Sequence, residues 1–189
     1  MNILIIMGPP YSGKGTQCEF LKDILNYKHI STGDVCRKET SNKTEIGLLL
    51  SKYEENGDLV PDSTMKTLFG MTLDENLNEK GMILDGYPRT IPQVDDLLEL
   101  IKERNLNVEK VLHIEVPKEE LLVRAKKRAA TSNRKDDKDE HTHVKRIEVF
   151  ENETKPAINY LATLMSVDTF DGLGTIASIT NNIKSSLIN

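Results

Sequence analysis

A glycine-rich segment near the start of the sequence has the residues needed to bind the phosphates of a nucleotide. It reads Gly8-Pro9-Pro10-Tyr11-Ser12-Gly13-Lys14-Gly15-Thr16. Glycines let backbone N–H groups approach phosphate oxygens closely, and a helix that begins there adds its positive end. Lys14 supplies a mobile charge, and the hydroxyl of Thr16 can reach a metal ion or a phosphate. The segment predicts a phosphate-binding loop, although Gly15 stands where the strict pattern has serine or threonine.

The segments around this loop predict the elements that would hold it. Ile3 to Met7 is a continuous apolar run, typical of a strand buried on both faces of a parallel sheet. A helical pattern follows from 15 to about 27, and similar patterns occupy 94–104 and 119–130. Further strands are expected at 82–84 and 111–116, with two more at 28–31 and 167–170. The alternation predicts an α/β fold, a doubly wound parallel sheet of about five strands with helices on both faces.

Composition limits the partners of the protein. The chain has 189 residues, which suits one domain, and its net charge of −5 provides no overall basic field for nucleic acid. Cys18 and Cys36 form no CxxC pair and cannot make a four-ligand zinc site, so we expect both to be buried apolar residues. No signal peptide and no apolar run long enough to cross a membrane is expected. The low cysteine count fits a reducing compartment, and we expect a cytoplasmic protein.

The phosphate-binding loop alone does not separate the classes of protein that use it, which include GTPases, motors and many ATPases. A GTPase also needs an Asn-Lys-x-Asp segment to read the base. The stretch Asn42-Lys43-Thr44-Glu45 has similar letters. It ends in glutamate and lies in a polar helical segment, not after a later strand, so we discount a GTPase.

Five motifs in order resemble those of adenylate kinases. The spacing Gly-Lys-Gly-Thr-Gln at 13–17 resembles the nucleoside monophosphate kinase family, and four blocks then match adenylate kinases, at 29–34 with Arg37, 57–62, 85–90 with Gln93, and 124–137. The resemblance covers nearly the whole chain. It implies Mg²⁺-dependent, reversible phosphoryl transfer, ATP + AMP ⇌ 2 ADP. It also implies a single kinase domain over 1–189, with a monophosphate-binding insert at about 31–62 and a short lid at about 129–140.

The resemblance assigns an AMP-binding set. Arg37 and Arg89 correspond to the family's clamp on the AMP phosphate, for which the planar guanidinium fork is suited. Thr32 and Gln93 correspond to residues that read the base, and pyrimidine-monophosphate kinases of the family usually carry alanine at the position of Thr32. The full set is Thr32, Arg37, Leu59, Val60, Gly86, Arg89, Gln93, Arg134 and Arg146.

The resemblance also assigns ATP, metal and catalytic residues. The ATP set is Pro10, Ser12, Gly13, Lys14, Gly15, Thr16, Arg124, Arg128 and Gly174. Asp85, mostly through water, and Thr16 would hold Mg²⁺, which favours few carboxylates and retained water. The catalytic set is Lys14, Arg89, Arg128, Arg134 and Arg146. Asp136 and Asp137 would anchor arginines of the lid when it closes.

Some residues depart from the family pattern. Tyr11 stands where the family usually has glycine, so a positive φ there would cost about 1–2 kcal/mol, or the ring would cover the mouth of the site. The stretch between Arg134 and Arg146 is one residue longer than expected.

His141 and His143 lie two residues apart, a spacing unsuited to a helical metal pair, and we expect both to face solvent.

Two rival functions remain open. One is a UMP/CMP kinase, against which Thr32, Thr90 and Gln93 argue. The other is a regulatory protein that binds nucleotides without catalysis, which only Tyr11 favours. The partners expected in either case are small nucleotides, with ATP, AMP and ADP for the favoured interpretation, and the family implies a monomer.

Overall fold

Five parallel strands form the sheet in the part of the chain that the computed structural model describes, residues 1–131 and 140–188. They are β1 (Asn2–Met7), β2 (Lys28–Ser31), β3 (Gly81–Asp85), β4 (Asn107–Glu115) and β5 (Val167–Asp171). Their order is β2-β3-β1-β4-β5, which places β1 at the centre, with Ile5 beside Leu84 on one side and Val111 on the other. The predicted strands at 28–31 and 167–170 are confirmed.

Helices cover both faces of the sheet, as the sequence predicts. They are α1 (Lys14–Leu25), α2 (Thr32–Ser41), α3 (Glu45–Asn56), α4 (Asp62–Glu75), α5 (Ile91–Glu103), α6 (Lys118–Thr131), α7 (Glu140–Val149), α8 (Lys155–Leu164) and α9 (Ile176–Ile188), with a π-helical turn at Phe150–Thr154. Because side chains of a strand alternate between faces, β1 contributes to two cores. Ile3 and Ile5 join the core that contains Phe69 of α4, and Leu4 joins the core that contains Leu21 of α1.

The structure bears on the predicted segments in different degrees. Residues 31–62 contain α2 and α3, so the helical character of the predicted insert is confirmed, whereas its role as a separate unit stays a prediction. Most of the predicted lid, together with Arg134, Asp136 and Asp137, lies outside the described residues.

Both cysteines are buried, as predicted. Within 1–131 and 140–188, no helix is long and apolar enough to span a membrane.

Candidate active site

A cavity of about 820 Å³ opens at the carboxyl ends of the central strands, where parallel α/β sheets bind their ligands. Most of the predicted site residues line it. They are Pro10, Gly13, Lys14, Gly15, Thr16, Thr32, Arg37, Leu59, Val60, Asp85, Gly86, Arg89, Gln93, Arg124, Arg128 and Arg146. The sequence motifs, spread from residue 10 to residue 146, therefore meet at one place.

Two predicted ATP-binding residues lie outside the lining of this cavity. Ser12 is buried in the loop between β1 and α1, and its Oγ has no hydrogen-bond partner among the described residues. Gly174 is exposed just before α9, and an added Cβ would meet Ser178. ATP binding by the side chain of Ser12 and by the segment around Gly174 thus stays a prediction, which the shape of the cavity does not support.

The phosphate-binding loop is the turn between Met7, the last residue of β1, and Lys14, the first of α1. At Gly8 any side chain would collide with β4, because an added Cβ would lie 2.6 Å from the carbonyl oxygen of Ile114. Lys14 folds back over the loop, with its Nζ 3.4 Å from the carbonyl oxygen of Pro9. The loop thus places the lysine ammonium in the cavity, at the N-terminus of α1.

The charges at the floor of the cavity compensate one another. Burial lowers the pKa of Lys14, and the nearby carboxylate of Asp85 only partly offsets this effect. Burial would raise the pKa of Asp85, but the hydrogen bond from His29 and the charges of Lys14 and Arg89 outweigh it and hold this pKa below its usual value. Asp85 is therefore a buried, ionised carboxylate next to several cations.

Arginines from separate elements surround the cavity. Arg37 lies on α2 and forms an ion pair with Asp34. Arg89 follows β3, and its Nε donates to the carbonyl oxygen of Gly86 at 2.6 Å. Burial lowers the pKa of Arg89, partly opposed by Asp85, so a bound anion would replace solvation that the guanidinium has lost. The side chains of Arg124 and Arg128 come from α6 and that of Arg146 from α7.

The predicted base-reading residues hold one another in place. The hydroxyl of Thr32 donates to the carbonyl oxygen of Gly86 at 2.9 Å. The side-chain oxygen of Gln93 accepts from the backbone N–H of Arg89, and its amide nitrogen donates to Asp62 at 2.8 Å. Asp62 also accepts from Thr90 at 2.9 Å. Asp62 lies in the motif at 57–62. The contacts by which it orients Thr90 and Gln93 join residues about thirty positions apart, so the motif does not predict them.

Arg124 joins the phosphate-binding loop to the segment that follows β5. Its guanidinium donates to the carbonyl oxygen of Ser12 at 3.2 Å and to that of Gly172 at 2.8 Å, and it pairs with Glu120. Because the side chain is held by three partners, it fixes the position of the loop as well as contributing charge to the cavity.

Comparison with known proteins agrees with this geometry. A family model described as adenylate kinase matches residues 6–165. The chain belongs to the adenylate kinase family. An adenylate kinase from Bacteroides fragilis is 40% identical over 180 residues, covering 95% of each chain. Another, from Leptospira biflexa, is 38% identical over 187 residues, covering 99% of this chain and 100% of the relative. The prediction of an adenylate kinase-type phosphotransferase is confirmed.

The prediction that His143 faces solvent is wrong. His143 is buried on α7, and its Nδ1 lies 2.6 Å from the hydroxyl of Tyr11 in the phosphate-binding loop. The reason is that α7 packs beside the loop, so Tyr11 reaches it across 132 positions of sequence. His141, on another face of the helix, is exposed as predicted.

Tyr11 adopts a positive φ of 68°, the first of the two alternatives that the sequence left open for this residue. The side chain is buried, and the guanidinium carbon of Arg128 lies 5.4 Å from the centroid of its ring. An arginine over an aromatic face is attracted by the ring. Contacts with His143 and Arg128 thus offset the backbone strain, and Tyr11 connects the phosphate-binding loop to both α6 and α7.

Tyr11→Phe should lower the free energy of unfolding by about 1–2 kcal/mol, because Nδ1 of the buried His143 loses its partner. For a chain of this size, the melting temperature should fall by about 3–6 °C in calorimetry. The matched control is Tyr160→Phe, which removes an exposed hydrogen bond to Asp95 and should cost less than about 0.5 kcal/mol. Equal losses in the two variants would contradict the role given to the buried pair.

Proposed function

We propose that this enzyme transfers the terminal phosphoryl group of ATP to AMP, reversibly and with Mg²⁺, in the reaction ATP + AMP ⇌ 2 ADP. The observation that carries the proposal is the convergence on one cavity of Lys14 and arginines from α2, the segment after β3, α6 and α7. In a chain of net charge −5, such a local excess of cations suits two polyanionic substrates.

Phosphoryl transfer requires little covalent chemistry from the protein. Phosphoryl transfer passes through a loose transition state with charge spread over the equatorial oxygens, so positioning and electrostatic stabilisation supply most of the catalysis. We assign Lys14, Arg124 and Arg128 to the ATP phosphates, and Arg37 and Arg89 to the AMP phosphate. Arg146, together with Arg134, would act on the phosphoryl group in transit. Transfer is direct and in line, without a phosphorylated residue of the protein.

The residues at the floor of the cavity fit a magnesium ion. Asp85 is an ionised carboxylate at the end of β3, and Thr16 lines the same cavity with a hydroxyl. Mg²⁺ prefers oxygen ligands and keeps several waters, which this sparse set would leave in place. Bound there, Mg²⁺ would neutralise charge on the phosphates, and Asp85 would orient its waters.

We assign the choice of AMP to Thr32 and Gln93. Thr32→Ala should reduce the preference for AMP over UMP and CMP, because it removes the hydroxyl that we assign to reading the base and that Gly86 holds in place. The expected loss is about three- to tenfold in the ratio of kcat/KM values, corresponding to one hydrogen bond. Thr32→Ser keeps the hydroxyl and is the matched control. An unchanged ratio in the alanine variant would remove Thr32 from the base-reading set.

A panel of monophosphates tests the proposed reaction directly. With Mg-ATP as donor, a coupled assay that measures ADP formation should give the highest kcat/KM with AMP. Faster turnover of UMP or CMP would make the enzyme a pyrimidine-monophosphate kinase. Binding of ATP in calorimetry without transfer to any acceptor would leave a nucleotide-binding protein without catalysis.

We also propose that the enzyme is a monomer and that it works in the cytoplasm. The basis for both is the family and, for the compartment, the low cysteine content. A monomeric mass in sedimentation analysis, with and without nucleotides, is the expected result for the first.

A further inference from the structure

Three side chains of different chemistry meet beneath the phosphate-binding loop. Cys18 belongs to α1, His29 to β2 and Asp85 to the end of β3. The sulfur, one ring nitrogen and one carboxylate oxygen all lie within 4.8 Å of one another. We propose that they form a site for a thiophilic divalent cation, with Zn²⁺ as its representative, distinct from the magnesium site with which it shares Asp85.

The orientation of His29 supports a ligand role. Its Nδ1 lies 2.8 Å from Oε1 of Glu19, and its Nε2 lies 3.4 Å from Oδ2 of Asp85. Metal-binding histidines commonly donate their second ring N–H to a carboxylate, which fixes the ring and directs the other nitrogen to the metal. Glu19 is placed to do this, so His29 presents Nε2 to the cation.

The donor set selects the class of ion. Sulfur, imidazole nitrogen and carboxylate oxygen together suit zinc, whereas magnesium prefers oxygen alone and gains nothing from a thiol. Three protein ligands leave one tetrahedral position open. Since His29 and Asp85 line the cavity, a water or a phosphate oxygen can occupy this fourth position. Cys18 is fully buried and would release its proton when the ion binds, and His29 would release the proton that its Nε2 shares with Asp85.

The cations next to Asp85, which are Lys14 and Arg89, oppose the ion. Lys14 is close enough to interact electrostatically with both Cys18 and Asp85. The affinity should therefore lie below that of structural zinc sites, in which no cation competes. Occupation of the site would also withdraw Asp85 from magnesium. Zinc should therefore inhibit the enzyme in competition with Mg-nucleotide, an effect that, unlike binding itself, rests on the proposed function.

Cobalt spectroscopy on the complete, nucleotide-free chain tests the site. Co²⁺ bound to a thiolate gives a sulfur-to-metal charge-transfer absorption. The band should appear on titration and vanish in Cys18→Ser, a variant of nearly the same size. Cys36→Ser, which changes the other buried thiol, is the matched control and should keep the band. A band retained without Cys18, or no band in the parent protein, would overturn the proposal.

Calorimetry with Zn²⁺ tests the other two ligands. His29→Gln should weaken binding by at least about tenfold and Glu19→Gln by less, because the latter only orients the ring. Asp85→Asn should also weaken it, with thermal unfolding measured on each variant to confirm a folded protein. Zinc affinity unchanged in His29→Gln would contradict the assignment. Because these measurements contain no nucleotide, their outcome is independent of whether the enzyme acts on AMP.

Discussion

Lys14→Met should lower kcat by at least about a hundredfold, the scale expected when one preorganised charge is removed from a transition state. Methionine is similar in length to lysine and fits the same path over the loop, but it cannot bind an equatorial phosphate oxygen. Asp85 keeps its hydrogen bond with His29 and the charge of Arg89, so no buried carboxylate is left unpaired. The melting temperature should therefore change by less than about 4 °C.

The matched control for Lys14 lies on the same helix. Lys22→Met removes an ammonium that pairs with the exposed Glu19, far along α1 from the loop, and should leave turnover near that of the parent protein. Turnover should be measured at saturating Mg-ATP and AMP and corrected for the folded fraction. A Lys14→Met protein that is largely unfolded, yet turns over normally per folded molecule, would refute the role of Lys14.

Arg89→Lys should lower kcat/KM for AMP by about a hundredfold or more, although the charge is retained. The guanidinium can hold Gly86 through Nε and still offer its two Nη groups to a phosphate, whereas an ammonium has one nitrogen for both tasks. The KM for ATP should change by less than about threefold, since we assign Arg89 to the AMP phosphate.

Arg104→Lys is the matched control for this substitution. Arg104 forms a bidentate pair with Asp74 and lies outside the residues that line the cavity. The Arg104→Lys substitution should leave the KM values for ATP and AMP unchanged. An Arg89→Lys enzyme that loses ATP and AMP affinity to the same extent would place the arginine between the two substrates, and one that loses neither would exclude it from the site.

The parts of this protein that sequence could predict are those in which the signal is local. The apolar run of β1, the glycines after it and the helical pattern of α1 are contiguous, and the structure has them in that order. The helix α4 was not predicted, although its buried residues Met65, Leu68, Phe69 and Leu73 recur at helical spacing. This spacing is a local signal, so α4 belongs to the part of the fold that sequence can predict.

The contacts that sequence could not predict join distant residues. A spacing of two positions showed that His141 and His143 point in different directions, but not which of them is buried. That depends on a tyrosine 132 positions away. The contact of Asp62 with Gln93 likewise depends on how the first turns of α4 and α5 meet. Pattern and spacing define faces, whereas the partner of each face is set by tertiary packing.

We propose that one cavity binds the phosphates of two nucleotides between Lys14 and the arginines around it. A crystal structure with two adenosines joined through five phosphates tests it most directly. We expect phosphate oxygens within about 3.2 Å of Lys14, Arg37, Arg89 and Arg128, one adenine beside Thr32, and the other near the segment after β5. Phosphates bound elsewhere, or Arg37 and Arg89 directed away from them, would exclude this binding mode.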